Sequence, residues 1–249
     1  MVTESSSNAE RAAEILIHLG QAGPAGLSLQ LLAEKLADPK SATRRALVAL
    51  SKRGFVEGTG RRGQYRLGPA IYGLANRTGS INEFVERFRP AVIAVAARTG
   101  QSSYLLVRAG FDAICVDMHE GTAFVQTLTG GIGGRVPLGI GSGSISILTG
   151  LDPTTREAII KENQHRYGHY NKIDIQHVRS RVERAVKLGY SYDIAETYAE
   201  AAGVAVPVRL NTAGVIAAIS IAIPAAQLDP ERAHSIAHLI RGEIEKHSH

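Results

Sequence analysis

Apolar positions in the first third of the chain recur with helical spacing. Ala12, Ile15, Leu16 and Leu19 fall at i, i+3, i+4 and i+7, which predicts a helix over residues 9–20 stopped near Gly20. Gly23-Pro24-Ala25-Gly26 is loop chemistry. Ser28 then reads as the N-cap of a short helix from Leu29 to about Leu36. Asp38-Pro39 interrupts the pattern, because proline disfavours helix at the residue before it and suits a first turn. A third helix is predicted from Lys40 to Arg53, with Ala46, Leu47 and Leu50 on its apolar side. Lys40, Ser41, Thr43, Arg44 and Arg45 are its polar residues. Short strands at 55–58 and 64–67 flank Thr59-Gly60-Arg61-Arg62-Gly63, a hairpin with a doubly basic tip. A short helix, a tight turn, a helix led by small polar and basic residues and a two-stranded wing make a winged helix-turn-helix pattern, mostly α.

The pattern changes further along. Ala70 to Asn76 reads as a short helix, and Thr78-Gly79-Ser80 as a break. Residues 82–98 predict a helix with Phe84, Phe88, Val92 and Val95 on one side. Ser103–Val107 and Ala113–Asp117 read as paired strands, followed by glycine-rich sequence from Gly130 to Gly143. Helices are expected at 154–163 and 175–188, a late hairpin from strands 204–210 and 215–223 through Asn211–Gly214, and a last helix from Pro230 to about Lys246. Strands and helices in mixed order predict an α+β domain with an antiparallel sheet. The expected boundaries are a DNA-binding domain at 1–67, a linker helix at 68–80 and a second domain at 81–249.

Composition narrows the class. The chain has 249 residues, 44% hydrophobic and 20% charged, which excludes a disordered or collagen-like chain. No apolar run is long enough for a membrane span, and Met1–Asn8 has neither a basic n-region nor an apolar h-region. The expected compartment is the cytoplasm, with no membrane partner. A single cysteine, Cys115, excludes an intrachain disulfide framework. Net charge is +5, and all of it sits in residues 1–79, which carry 11 Lys and Arg against 6 Asp and Glu. Residues 80–249 hold 17 of each. That asymmetry suggests a polyanion-binding module joined to a neutral one. Arg61 and Arg62 are either a solvated turn or a wing that reaches phosphates or a minor groove.

The constellations that would mark an enzyme are weak. Gly139-Ile140-Gly141-Ser142-Gly143-Ser144 looks like a phosphate cradle but lacks the Gly-Lys-Ser/Thr ending of a P-loop, and no nucleophile elbow occurs at Ser142 or Ser144. His165/His169 and His234/His238 have i, i+4 spacing without an obvious third ligand, so no metal site is expected. Cys115 lies in an apolar strand and reads as core.

Four stretches of the first module resemble the IclR family of bacterial transcriptional regulators. They are Gly26–Leu36, Pro39–Leu47, Leu50–Glu57 and Gly63–Pro69. The resemblance continues more loosely through Arg135–Leu138, Leu188–Asp193, Val204–Val208, Ile219–Pro224 and Leu228–Arg232. It implies that Lys40, Ser41, Thr43, Arg44 and Arg45 lie in a major groove. Thr43, Arg44 and Arg45 would be at or near the bases, and Lys40 and Ser41 at phosphates, with Ser28, Arg61 and Arg62 alongside. It implies a linker helix that helps pair subunits, dimers or tetramers, and a GAF-like effector domain that holds a small organic acid, aromatic ones included. No other cofactor is implied.

The sequence departs from a common family pattern at Gly139–Ser146 and lacks the cysteine some members carry near Gly203, so effector identity does not transfer. The effector positions implied are Val125, Ser142, Gly143, Asp193, Ala202, Gly203, Ser220 and Ala222. Ser142 and Gly143 begin a helix whose N–H groups attract a carboxylate. Ser220 and Ala222 share one face of a strand. Asp193 reads equally as a cap or turn residue, and the Ser220 hydroxyl as one satisfied within the sheet. The expected function is an effector-controlled DNA-binding regulator. The alternatives are an enzyme acting on a small carboxylate with the basic N-terminus an appendage, and an architectural DNA binder without effector.

Overall fold

The structure is a computed structural model that describes residues 7–122, 129–171, 173–208 and 214–248. The chain packs into two compact units, Met1–Gly79 and Ser80–His249.

The first unit runs α1 (Ser7–Ala22), β1 (Leu27–Ser28), α2 (Leu29–Lys35), α3 (Lys40–Lys52), β2 (Val56–Gly58), β3 (Gln64–Leu67) and α4 (Pro69–Ala75). Ile15 and Leu19 of α1, Leu32 of α2, Leu47 of α3 and Val56 of β2 close its core. Ser28 caps α2, its hydroxyl accepting from the Leu31 N–H at 3.1 Å. The strand β1 was not expected. It is two residues long, too short for a period to show, and pairs with β3 through Leu27–Tyr65 and Ser28–Gln64. Gly26 makes this approach possible: its φ is +66°, and a Cβ there would lie 2.1 Å from the Tyr65 carbonyl oxygen.

The second unit runs α5 (Gly79–Thr99), β4 (Ser102–Ala109), β5 (Asp112–His119), β6 (Arg135–Pro137), α6 (Gly141–Thr149), α7 (Pro153–Glu162), α8 (Gln164–Tyr167), α9 (Ile175–Leu188), β7 (Ser191–Ile194), β8 (Ala201–Val208), β9 (Ala217–Pro224) and α10 (Pro230–Glu245). The strands form one antiparallel sheet in the order β6-β5-β4-β9-β8-β7. Gly79 and Ser80 start α5 instead of breaking the chain, which corrects the expected break. The turn expected at Asn211–Gly214 falls mostly on residues outside the described set, as does Val125.

Period two along the strands sorts the side chains into two layers. Leu105 and Val107 of β4 and Ile219, Ile221 and Ile223 of β9 face Phe88, Val92 and Val95 of α5 and Ile236 and Ile240 of α10. Tyr104 and Leu106 of β4, Cys115 of β5 and Ala218 of β9 face Ile145 and Leu148 of α6 and Val178 and Val182 of α9. Both sheet faces are therefore covered, which is why β4 and β9 read as nearly continuous apolar runs. Asp152, Asp174 and Asp229 cap α7, α9 and α10, each carboxylate accepting an N–H three residues on. Gly189, with φ +74°, ends α9.

Candidate functional site

In the first unit, α3 presents Lys40, Ser41, Arg44, Arg45 and Val48 to solvent, and they line a shallow depression together with Leu29. Lys40 donates to the Gln30 side chain at 3.3 Å. Arg11 and Arg66 are neutralised by Asp38 and Glu57. Among the described residues, the side chains of Arg44, Arg45, Arg61 and Arg62 have no such partner, and Arg61 and Arg62 are exposed on the β2–β3 hairpin. Four unpaired guanidinium groups on one helix face and one hairpin are suited to a polyanion. Thr43 departs from expectation. It is fully buried, and its hydroxyl donates back to the Pro39 carbonyl at 3.3 Å. At the inner side of α3 it packs the helix and reaches no base, which corrects its assignment to base contact. Ser28 is held as the cap of α2.

In the second unit a cavity lies between the start of α6 and the sheet. Tyr104, Leu106, Val136 and Ile140 supply apolar wall, and Ser142, Gly143, Asp193, Ala202, Gly203, Ser220 and Ala222 all line it. The sheet register explains this convergence. Asp193, Gly203 and Ala222 stand in one row across β7, β8 and β9. Ser191, Ala205, Ser220 and Tyr104 form the next row. Ser191 fixes α6 onto that row by donating to the Ser142 carbonyl at 2.5 Å.

Small residues let the helix end sit this low. A Cβ at Gly143 would fall 2.2 Å from Leu106 Cδ1, and one at Gly203 would fall 2.6 Å from Ser142 Oγ. Ile140, before α6, offers no side-chain cap to the first-turn N–H groups. Gly141, Ser142 and Gly143 of that turn all border the cavity. Among the described residues the Ser142 and Ser220 hydroxyls have no hydrogen-bond partner, whereas Ser144 is occupied by the Gly139 N–H and the Ile140 carbonyl.

Asp193 is differently placed from its expected role. One carboxylate oxygen accepts from the backbone N–H groups of Glu196 and Thr197, at 3.0 and 3.3 Å. The other accepts from Arg181 Nη2 at 2.6 Å and from the Thr197 hydroxyl. Both Arg181 and Asp193 are buried. The carboxylate thus closes the turn that carries Thr197 and Tyr198 to the cavity, and its acceptor capacity is taken. Arg181 was missed because it lies on the strongly amphipathic α9, where arginine reads as a solvated position. Thr197 and Tyr198 were missed because the β7–β8 turn has no periodic pattern. Tyr104 and Leu106 were readable as one face of β4.

Among the described residues no group of three or more His, Cys, Asp or Glu side chains is placed to hold a metal. Cys115 is buried in the sheet, and burial together with the Asp117 charge pushes its thiol up to about 12. No helix of the described residues is long and apolar enough to cross a membrane.

Comparison with known proteins places these features. Residues 80–249 match the family model for the bacterial transcriptional regulator IclR C-terminal domain, and residues 8–60 match the IclR helix-turn-helix domain. Among curated relatives, the HTH-type transcriptional repressor AllR of Klebsiella pneumoniae is 24% identical over 93% of this chain and 85% of its own length. The HTH-type transcriptional regulator KipR of Bacillus subtilis is 27% identical over 79% of this chain and 78% of its own. An IclR homologue from Microbacterium hydrocarbonoxydans, solved with 4-hydroxybenzoate, shares the fold at a TM-score of 0.73 and 23% identity, over 97% of this chain and 98% of that one. An IclR regulator from Alicyclobacillus acidocaldarius does so at 0.75 and 21%, over 98% of each chain.

Proposed function

The chain belongs to the IclR family of bacterial transcriptional regulators, and from that premise we propose that it binds an operator through α3 and the β2–β3 wing under the control of a small organic acid held in the α6 cavity. One observation carries the reading. A single chain combines an outward, unpaired basic helix face in one unit with a mostly apolar, serine-bearing cavity in the other. Lys40, Ser41, Arg44 and Arg45 enter a major groove, with Arg61 and Arg62 on the flanking backbone or minor groove. The carboxylate of the effector lies at the first turn of α6, with Ser142 and Ser220 as hydroxyl donors. Gly203, Ala202 and Ala222 shape the wall. The homologue solved with 4-hydroxybenzoate supports an aromatic carboxylate as one member of this class.

Residues 68–80 act as a linker, and the exposed Tyr72 and Leu74 of α4 give subunits an apolar surface on which to pair. Two subunits then read symmetric half-sites about one DNA turn apart or a multiple of it. The compartment is the cytoplasm. A sensor is the reading that the lining supports: among the described residues it holds no histidine, cysteine or lysine, and its carboxylate, Asp193, is taken up by hydrogen bonds.

Selection of DNA fragments by the purified chain, with and without a pool of small carboxylates that includes 4-hydroxybenzoate, tests the reading. A symmetric site whose enrichment changes with the acids, and acids recovered unchanged, are expected. Failure to enrich any fragment in either condition overturns it.

A further inference from the structure

Val48 lies on the outer face of α3, 48% exposed, between the two arginines. At about 3.6 residues per turn, Ser41, Arg44, Arg45, Val48 and Lys52 share one stripe, and Val48 falls near its middle. All five are exposed. Every other member of that stripe is polar or cationic, so the apolar side chain is out of place on a solvated face. Among the described residues it joins none of the buried apolar clusters. We propose that Val48 reads a thymine: its two methyl groups meet the C5-methyl of a thymine in the major groove, flanked by Arg44 and Arg45. The proposal rests on the reading of α3 as the operator-binding helix and adds to it a base that the helix selects.

Three physical points support it. The charge of Lys40, Arg44 and Arg45 brings a polyanion to this face, which commits the surface to nucleic acid. In the major groove the thymine methyl is the one apolar group on a base edge, and apolar side chains are its partners. A β-branched side chain in a helix has one strongly preferred rotamer, so Val48 is already ordered before contact. Arginine at 44 or 45 is long enough to reach a phosphate or a guanine beside it, whereas Val48 reaches only what lies directly over the helix.

The test uses the full chain and the DNA site it selects. Each thymine of that site is replaced in turn by deoxyuridine, which removes only the C5-methyl. The wild-type chain is expected to bind about fourfold more weakly at one thymine of each half-site. That is the loss for one methyl taken out of contact, ~0.8 kcal/mol. Val48→Ala is expected to bind the unmodified site more weakly and to lose the thymine–uracil difference at that position alone. The alanine variant is fit for the purpose, because position 48 is exposed and alanine favours helix. Indifference of the wild-type chain to every uracil, or an undiminished difference in Val48→Ala, overturns the proposal while operator binding stands. Failure to select any DNA overturns the operator reading and this proposal with it.

Discussion

Asn in place of Asp193 separates two roles for a residue on the cavity wall. Asp193 receives four donors, two of them backbone N–H groups of the next turn, and the buried Arg181 is one of the others. Asparagine retains an acceptor for the backbone groups and its amide can donate to the Thr197 hydroxyl, but it then faces the Arg181 guanidinium with N–H against N–H. Removing one partner of a buried ion pair costs about 3–5 kcal/mol. Arg181 keeps Glu196 at 3.0 Å, and that carboxylate is partly solvated, so the expected loss is lower, about 2–4 kcal/mol. For a unit of this size that lowers the unfolding midpoint by about 10 °C.

Calorimetry of the full chain without ligand is the assay, read on the transition of the Ser80–His249 unit. Arg181→Met combined with Asp193→Asn is expected to recover more than half of the loss, since an apolar replacement leaves no buried charge behind. If Asp193→Asn unfolds at the wild-type midpoint without ligand and loses only the stabilisation by a carboxylate, the turn-closing role is wrong and Asp193 is a ligand contact.

Three further outcomes follow from the geometry. Gly139→Ala is expected to destabilise by about 3 kcal/mol in denaturant titration, because φ is +115° there and a Cβ would lie 2.7 Å from the buried Tyr167 hydroxyl oxygen; a loss under about 1 kcal/mol would contradict the packing. Thr43→Val should leave operator affinity within about twofold, whereas Arg44→Ala should lower it more than tenfold in a mobility-shift titration; equal losses would return Thr43 to the DNA. Glu243 is buried and held below its ordinary pKa by the hydrogen bonds from Lys246 and Arg98, against the opposing effect of burial. Its contribution is therefore complete above the unfolded-state value of about 4.3 and is lost as pH falls through the lower folded value. Glu243→Gln should cost about 1 kcal/mol at pH 7 and converge with wild type in strong acid; a constant gap across that range would refute the assignment.

Long periodic segments were readable, and short or turn-borne ones were not. Ile175–Leu188 carries an apolar stripe over four turns between an Asp174 cap and a Gly189 stop, and α9 has those bounds. The strands β4 and β9 were legible because both sheet faces are covered and their runs are nearly continuously apolar. The three-residue β6 and four-residue β7 give too few positions for a period, although β7 places Asp193. Within the first unit, helical periodicity put Leu47 inside but could not decide for Thr43, which lies at the edge of the polar stripe and falls on the buried side. For the cavity, the resemblance supplied Ser142, Gly203 and Ser220. What it could not supply was the pairing of Arg181 with Asp193, a tertiary contact between a helix and a strand edge.

The glycine–serine run at 139–144 shows why a motif's composition can point to the wrong chemistry. Read as a phosphate cradle, its glycines would serve to bring backbone close to a ligand. In the fold, Gly139 clears the Tyr167 ring and Gly143 clears Leu106, while Ser144 closes the turn between them. Gly203 answers from the sheet, clearing Ser142. These residues are small because a helix end is seated directly on a strand. The same absence of side chains leaves space beside the seat, bounded by uncapped N–H groups and two unpartnered hydroxyls. Close helix–sheet packing and an anion-receptive cavity are thus one structural consequence, so an enlargement at Gly143 or Gly203 acts on both at once. A ligand that fills the space adds contacts the folded unit lacks. At a hundredfold excess over its Kd such a ligand stabilises that unit against unfolding by about 2.7 kcal/mol, whereas control over the rest of the chain requires a difference in its affinity between two conformations.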